Sequence, residues 1–136
     1  MAAATLGTSC TPGANASVSY HANAVALEVG QSVFIDEADS SRLKLADDSS
    51  AVKANARGIA ISKANVANQR VGVVWNGDVE NCTSGTQGEA LFLSDTPGSL
   101  CPAADLGTGD FGTFMGFRKA ATTFTVHVFP SGVAHG

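Results

Sequence analysis

One short phrase of sequence occurs twice in this chain, and the repetition constrains the fold more than any other feature. Residues 30–35 read GQSVFI, and residues 88–93 read GEALFL. Further matches follow in the same order: Leu43 with Leu100, Ala46-Asp47 with Ala104-Asp105, and Gly58-Ile59 with Gly116-Phe117. The simplest interpretation is two tandem copies of one structural unit, repeat one over about residues 28–79 and repeat two over about residues 86–134.

Within both repeats, apolar and polar residues alternate with a period of two. The sets that share a face are Val71, Val73 and Trp75 in repeat one, and Phe124, Val126 and Val128 in repeat two. Such alternation over short runs, bounded by Gly, Pro, Asn and Asp, is typical of half-buried β-strands. We therefore predict an all-β fold, a small sandwich or barrel of about nine to twelve short strands, in which Trp75 faces the core.

Neither repeat has enough large apolar residues to form a core by itself. Hydrophobic residues make up 44% of the 136-residue chain, but many of them are alanine and valine, and there is one Trp and one Tyr. We expect the apolar faces of the two repeats to close over each other in a single β domain, residues 25–136. Residues 1–24 precede this domain as an extended N-terminal arm together with the first strand.

Charged residues are absent from both ends of the chain. The net charge is −4 and the eight basic residues are scattered, so the sequence offers no basic stripe to nucleic-acid phosphates. Residues 1–27 and 120–136 contain no Asp, Glu, Lys or Arg, which favours a surface that a protein partner covers. The candidate partner-binding residues are larger side chains of the first segment: Leu6, Val18, Tyr20, Val25 and Leu27. No apolar run approaches the ~20 residues that cross a bilayer, so we expect no membrane partner.

The residues that carry enzyme chemistry are not arranged in a recognisable motif. The acidic run at 36–39 lacks the phosphate-binding glycine loop and lysine that nucleotide hydrolysis needs. His21, His127 and His135 lie far apart in the sequence, and no Gly-x-Ser-x-Gly occurs. We predict a protein that is not an enzyme and has no catalytic residues, no cofactor and no metal site.

The three cysteines, Cys10, Cys82 and Cys101, are odd in number and lack metal-ligand spacing. Free thiols in a reducing compartment are the default expectation. A bridge between Cys82 and Cys101 is the alternative.

The repeated phrase, G-x-x-V/L-F-I/L followed by a turn, a leucine, Ala-Asp and G-I/F, resembles the small decoration or cement proteins of tailed-bacteriophage capsids. The segment 88–104, with its Ser-Asp-Thr-Pro-Gly turn, is the most similar, and the resemblance covers about residues 28–130. It implies a virion protein, without catalysis, that binds the major capsid protein on the outside of an assembled shell and stabilises it. It also implies a homotrimer that assembles onto the capsid in the host cytoplasm.

Two other functions fit the same sequence. One is a different structural component of the virion, such as a head fibre or a tail piece. The other is a carbohydrate- or receptor-binding β-module, which would stack sugars on exposed aromatic side chains. Trp75 and Tyr20 are the only Trp and Tyr, so an exposed Trp75 is the feature that would favour the binding module.

Overall fold

The computed structural model describes residues 6–7, 9–82, 88–102, 106–120 and 122–134. Residues 131–134 are described by their backbone only. The Ala104-Asp105 match and His135 lie outside the described residues. The described chain is built from β-strands and one short 3₁₀ helix, Glu37–Asp39, which confirms the all-β prediction. The strands are β1 Thr11–Pro12, β2 Ser17–Ala22, β3 Ser32–Asp36, β4 Arg42–Leu45, β5 Ala56–Ala60, β6 Arg70–Glu80, β7 Ala90–Leu93, β8 Leu100–Cys101, β9 Phe111–Ala120 and β10 Thr123–Ala134.

The strands form one antiparallel sheet that curls into a half-barrel. Their order is β4-β3-β5-β6-β10-β9-β7-β8, and β1 and β2 also pair with β6. The order reads the same from both ends once β3 is matched with β7, β4 with β8, β5 with β9, and β6 with β10. The sequence repeat is therefore a structural repeat, and its two halves join where β6 pairs with β10.

The register agrees between the two halves where their first and third strands pair, β3 with β5 and β7 with β9. Val33 lies opposite Gly58 in repeat one, and Leu91 lies opposite Gly116 in repeat two, which is the pairing that the sequence alignment requires. A one-residue bulge follows at the same place in each half, at Arg57 on β5 and at its counterpart on β9. The repeated phrase thus encodes a strand pair together with its bulge.

The repeated glycine is explained by close contact between backbones. A Cβ atom built on Gly58 would lie 2.1 Å from the carbonyl oxygen of Val74 on β6, and one on Gly116 would lie 1.9 Å from that of Thr125 on β10. Both distances are far below van der Waals contact. Only a residue without a side chain fits where these strands approach so closely.

The main core lies inside the half-barrel and is shared by both repeats. Its side chains include Phe34, Ile59 and Val74 from repeat one and Leu91, Leu93, Met115, Phe124 and Val126 from repeat two. A second, smaller cluster lies on the outer face of repeat one, where Leu27 and Ala64 cover Val33, Leu43, Val71 and Val73. Because neighbouring residues such as Val73 and Val74 belong to different clusters, the strands of repeat one are buried on both faces.

The N-terminal segment is extended, and it runs along the sheet. β1 and β2 pair antiparallel with β6, with Thr11 opposite Glu80 and Tyr20 opposite Gly72. Upstream of β1, the side chain of Leu6 is fully buried in the main core.

Trp75 does not face the core, so that prediction is wrong. In the pairing of β2 with β6, Ser17 lies opposite Asn76 and Val18 opposite Val74, which leaves Trp75 as an extra residue in a bulge. The bulge interrupts the alternation that Val71 and Val73 begin. The indole is 41% exposed, and the guanidinium of Arg57 lies 5.4 Å from its ring centre.

Candidate interaction surfaces

The outer face of repeat two carries an uncovered group of four phenylalanines, which we call the aromatic face: Phe92, Phe114, Phe117 and Phe129. Cross-strand pairing places Phe92 opposite Phe114, and Phe114 opposite Phe129, in a row across β7, β9 and β10. The rings of Phe92 and Phe114 meet edge to face, with centres 5.6 Å apart. Phe129 is 67% exposed and Phe117 is 41% exposed. Their sheet neighbours Phe124 and Val126 point the other way, into the main core.

A buried carboxylate marks one border of the aromatic face. Asp78 on β6 accepts hydrogen bonds from Thr125 Oγ1 at 2.8 Å and from Lys119 Nζ at 3.0 Å. The hydrogen bond from Thr125 and the neighbouring ammonium hold the pKa of Asp78 below its usual range. The carboxylate therefore stays ionised, and its charge is matched within the protein. The remaining length of β10, from Phe124 onward, contains no Asp, Glu, Lys or Arg.

The N-terminal candidates separate into buried and exposed residues. Leu6 fills the main core and Leu27 covers the second cluster, so neither side chain has surface to offer a partner, and their assignment as contact residues is corrected. Val18 is partly buried against the main core. Tyr20 is 55% exposed, with the guanidinium of Arg70 4.8 Å from its ring centre, and Val25 is also exposed. Contact through these last two residues stays a prediction.

A serine and a histidine lie side by side on β2, but their environment does not activate them. Ser19 Oγ and His21 Nε2 are 2.8 Å apart. Partial burial, and the positive charge of Arg57, lower the pKa of His21. In a serine–histidine pair of catalytic type, an acid on the second ring nitrogen orients the imidazole and stabilises the imidazolium that forms when it takes the proton. No such acid contacts His21 within the described residues, and Arg57 acts in the opposite direction.

An acidic cluster that no local sequence pattern indicates lies between the repeats. Asp48 is fully buried in the loop after β4, where its N–H donates to Ser94 O at 3.2 Å and its carbonyl accepts from Phe111 N at 2.8 Å. Burial, together with the nearby carboxylates of Asp110, Asp95 and Asp47, raises the pKa of Asp48 to about 6. Asp47 and Asp48 alone gave no indication of this cluster, because the other two carboxylates come from repeat two.

The described residues contain no further arrangement of catalytic type. None of their His, Cys, Asp and Glu side chains gather in groups of three or more that could hold a metal ion. An open cleft of about 430 Å³ runs between the 3₁₀ helix and residues 51–55, and its described lining includes Asp36 and Glu37 but no nucleophile beside a base. No helix in the described ranges has the length and apolar character to cross a bilayer.

Comparison of the chain with protein-family models, with curated proteins and with solved structures gives no match. The interpretation of function therefore depends on the surfaces themselves and on the sequence resemblance described above.

Proposed function

We propose that this protein is a non-enzymatic structural protein of a tailed-bacteriophage virion, which binds the outside of the assembled capsid and stabilises the shell. The proposal combines the resemblance of the repeated phrase to capsid decoration proteins with one structural observation. That observation is the aromatic face, an apolar surface on the sheet that nothing in the described chain covers.

Exposed aromatic groups of this kind are typical of protein interfaces. Aromatic side chains carry much of the binding energy at such contacts, because they bury a large area at a small entropic cost. Phe129 and Phe117 are the most exposed members of the face and lie on adjacent antiparallel strands. We assign the aromatic face to the contact with the major capsid protein.

A trimer and an assembled shell supply the remaining affinity. Three identical faces on a closed trimer act together through their effective concentration, so each contact can be weak. A protein that binds only the assembled shell stabilises it by mass action, by about 4 kcal/mol per site at a free concentration a thousandfold above Kd. The protein then acts on the outer capsid surface of the virion without contacting nucleic acid or membrane.

The test is co-sedimentation with expanded capsids of the cognate phage that lack the protein. The wild-type chain is expected to run as a trimer in light scattering and to sediment with capsids. Phe129→Glu is expected to weaken binding by about tenfold or more, because it places a charge in an apolar contact. Val52→Glu is the matched control, since Val52 is 64% exposed on a loop of repeat one.

Two results would contradict the proposal. One is a wild-type chain that stays monomeric at high micromolar concentration and does not sediment with capsids. The other is capsid binding that Phe129→Glu and Val52→Glu reduce equally, which would remove the aromatic face from the contact.

The exposure of Trp75 favours a second candidate function, a carbohydrate-binding module. Trp75 and Tyr20 both present exposed rings, each with an arginine over it. Sugar rings stack on such side chains through their C–H faces. A strong hit on a glycan array, lost in Trp75→Ala with an unchanged melting temperature, would support this function. An array without hits would remove it.

A further inference from the structure

Two cysteines that are distant in sequence lie in contact beside the main core. Cys10 precedes β1 and Cys82 follows β6, and their sulfurs are 2.9 Å apart. Both side chains are buried. Thr11 lies opposite Glu80 in an antiparallel pairing. Cys10 comes just before the first of these residues and Cys82 just after the second, so the pairing places the two cysteines at the same end of the strands.

Hydrogen bonds on the neighbouring residues hold this juxtaposition independently of the sulfurs. Ser9 Oγ donates to Asn81 O at 2.7 Å, and Asn81 Nδ2 donates to Thr11 Oγ1 at 2.9 Å. The residues before and after Cys10 are thus both fixed to the residue before Cys82. The approach of the two sulfurs therefore follows from the backbone arrangement.

The surroundings make the two thiols unequal. The S–H of Cys10 donates to the sulfur of Cys82, which favours the thiolate of Cys82 and lowers its pKa. The same contact and burial raise the pKa of Cys10. The buried guanidinium of Arg118 adds a positive potential at both sulfurs. Cys82 is accordingly the nucleophile that reacts first, and Cys10 is the resolving thiol that attacks Cys82 in the second step.

We propose that Cys10 and Cys82 form a redox-active pair that a hydroperoxide oxidises to a disulfide, and that this bond fastens the N-terminal segment to the end of β6. The Cys82 thiolate attacks the peroxide oxygen, the O–O bond breaks, and Cys82 becomes a sulfenic acid while the peroxide leaves as hydroxide or alkoxide. Cys10 then attacks the sulfenic sulfur, its proton leaves with the hydroxyl as water, and the S–S bond forms. Two thiols are oxidised and one peroxide is reduced.

The structure requires little movement for this step. The sulfurs must approach from 2.9 Å to about 2.05 Å in the disulfide. A hydroperoxide is small enough to reach thiols that larger oxidants reach poorly. The inference does not depend on the proposed function, since any role of the chain leaves the pair in place.

The bond would change how firmly the N-terminal segment is held. Cys10 Sγ also contacts the carbonyl oxygen of Leu6 at 3.3 Å, so the disulfide lies directly beside the residue that fills the main core. The closed loop would run from residue 10 to residue 82. A loop of that length removes much conformational freedom from the unfolded chain. Oxidation is expected to raise the melting temperature by roughly 5–15 °C.

The test begins with the wild-type chain and needs no variant. Native protein is treated with hydrogen peroxide, the remaining thiols are alkylated after unfolding, and peptides are mapped without reduction. We expect one linked pair, Cys10 with Cys82, lighter by two hydrogen atoms, and an alkylated Cys101. A reductant is expected to restore three thiols and the original melting temperature.

Single substitutions then separate the roles of the sulfurs. Cys10→Ser is expected to stop at the sulfenic acid of Cys82, which dimedone traps, whereas Cys82→Ser leaves Cys10 unmodified by the same dose. Cys101→Ala is the control and is expected to behave like the wild type. A linkage of Cys82 to Cys101 would overturn the proposal. So would native wild-type protein that keeps all three thiols after peroxide treatment.

Discussion

The two repeats share one backbone pattern but bury it differently. Repeat one is buried on both faces, by the main core inside and by the second cluster outside. Repeat two is buried on its inner face only. Equivalent positions show the contrast: Phe34, Ala56 and Ile59 are buried in repeat one, whereas their counterparts Phe92, Phe114 and Phe117 are half-buried or exposed in repeat two. Matching strands, registers and bulges therefore do not imply matching surfaces.

The side of repeat one that the second cluster covers corresponds to the core-facing side of repeat two, because Val33, Val71 and Val73 match Leu91, Phe124 and Val126 of the main core. Nine residues, 61–69, join β5 to β6 in repeat one, whereas two residues join β9 to β10 in repeat two. The longer connection brings Ala64 to Leu27, where their backbones exchange two hydrogen bonds of 2.8 and 2.9 Å and cover the outer face. The aromatic face corresponds instead to the side of repeat one that packs into the main core, where Phe34, Ala56 and Ile59 are buried. Equivalent sides of the two repeats therefore have opposite roles.

The largest expected effect tests what the repeats have in common. Gly116→Ala places a Cβ atom 1.9 Å from the carbonyl oxygen of Thr125, at a φ of +145°. We expect a loss of about 4 kcal/mol or more in the free energy of unfolding, or a chain that does not fold. Gly112→Ala on the same strand is the control, because its Cβ would meet only Leu106 at 3.5 Å. Urea unfolding followed by circular dichroism measures both.

An equal result for the two glycine variants would show that the close approach of β9 to β10 is not what the repeated glycine serves. The equivalent substitution Gly58→Ala extends the test to repeat one. It is expected to match Gly116→Ala, because its Cβ would lie 2.1 Å from the carbonyl oxygen of Val74.

The next prediction separates the two faces of repeat two on a single strand. Phe124 is fully buried in the main core, whereas Phe129, further along β10, is 67% exposed. Phe124→Ala is expected to cost about 3–5 kcal/mol in the free energy of unfolding. Phe129→Ala is expected to change it by less than about 0.5 kcal/mol. Denaturant unfolding of the two variants, each with the same side-chain deletion, gives the comparison directly.

A large loss of stability in Phe129→Ala would mean that the isolated chain covers the aromatic face. The face would then no longer be available to a partner, and the proposed function would lose its structural support.

A buried carboxylate between the repeats should make stability depend on pH in an unusual direction. The pKa of Asp48 is raised to about 6 in the folded protein, above its value of about 4 in an unfolded chain. The folded state therefore holds this proton more tightly. The contribution of Asp48 to stability falls as the pH rises from about 4 to 6 and changes little above, with a total loss of at most about 3 kcal/mol.

Asp48→Asn is expected to remove this dependence, so that the variant gains stability relative to the wild type as the pH rises from 4 to 7. Urea unfolding at each pH measures the difference. Asp36→Asn is the contrasting control: the hydrogen bond from Lys44 lowers the pKa of Asp36, so its contribution is lost only as the pH falls below about 4. This variant is expected to run nearly parallel to the wild type from pH 4 to 7. A wild type and an Asp48→Asn variant that differ by a constant amount at every pH would contradict the assignment.

The sequence predicted the features that local patterns encode. The repeat, the strands and the shared core followed from period-two alternation and from the spacing of residues such as Gly58 and Gly116. The prediction that Trp75 faces the core was wrong because a bulge adds one residue and interrupts the alternation. The local composition does not indicate the position of that bulge. The prediction that Leu6 contacts a partner was wrong because Leu6 lies in the main core. Its sequence neighbours are small or polar residues, and they give no indication that this leucine inserts there.

The remaining sites depend on contacts between distant segments. Asp48 meets Asp95 and Asp110 only because the loops of the two repeats come together, and Cys10 meets Cys82 only because β1 returns along β6. Neither pairing has a spacing that sequence analysis recognises. The aromatic face was also missed, because its residues alternate with core residues and differ from them only in what covers them.

The smallest expected effect concerns the equivalent bulges on β5 and β9. The bulge residue of repeat two, Met115, lies in the main core, whereas that of repeat one, Arg57, lies over the exposed ring of Trp75. Arg57→Ala should therefore cost only about 0.5–1 kcal/mol, the value of an exposed cation–π contact. Because Trp75 is the single tryptophan, its fluorescence reports the change, and acrylamide should quench the variant more strongly.

Arg70→Ala is the matched control for this last experiment. Arg70 makes the corresponding contact with Tyr20, so its removal is expected to leave the quenching of Trp75 unchanged. If Arg57→Ala cost several kcal/mol, the bulge of repeat one would be a structural element like that of repeat two. A small cost with increased quenching would instead show that the same kind of bulge places its side chain in the core in repeat two and at the surface in repeat one.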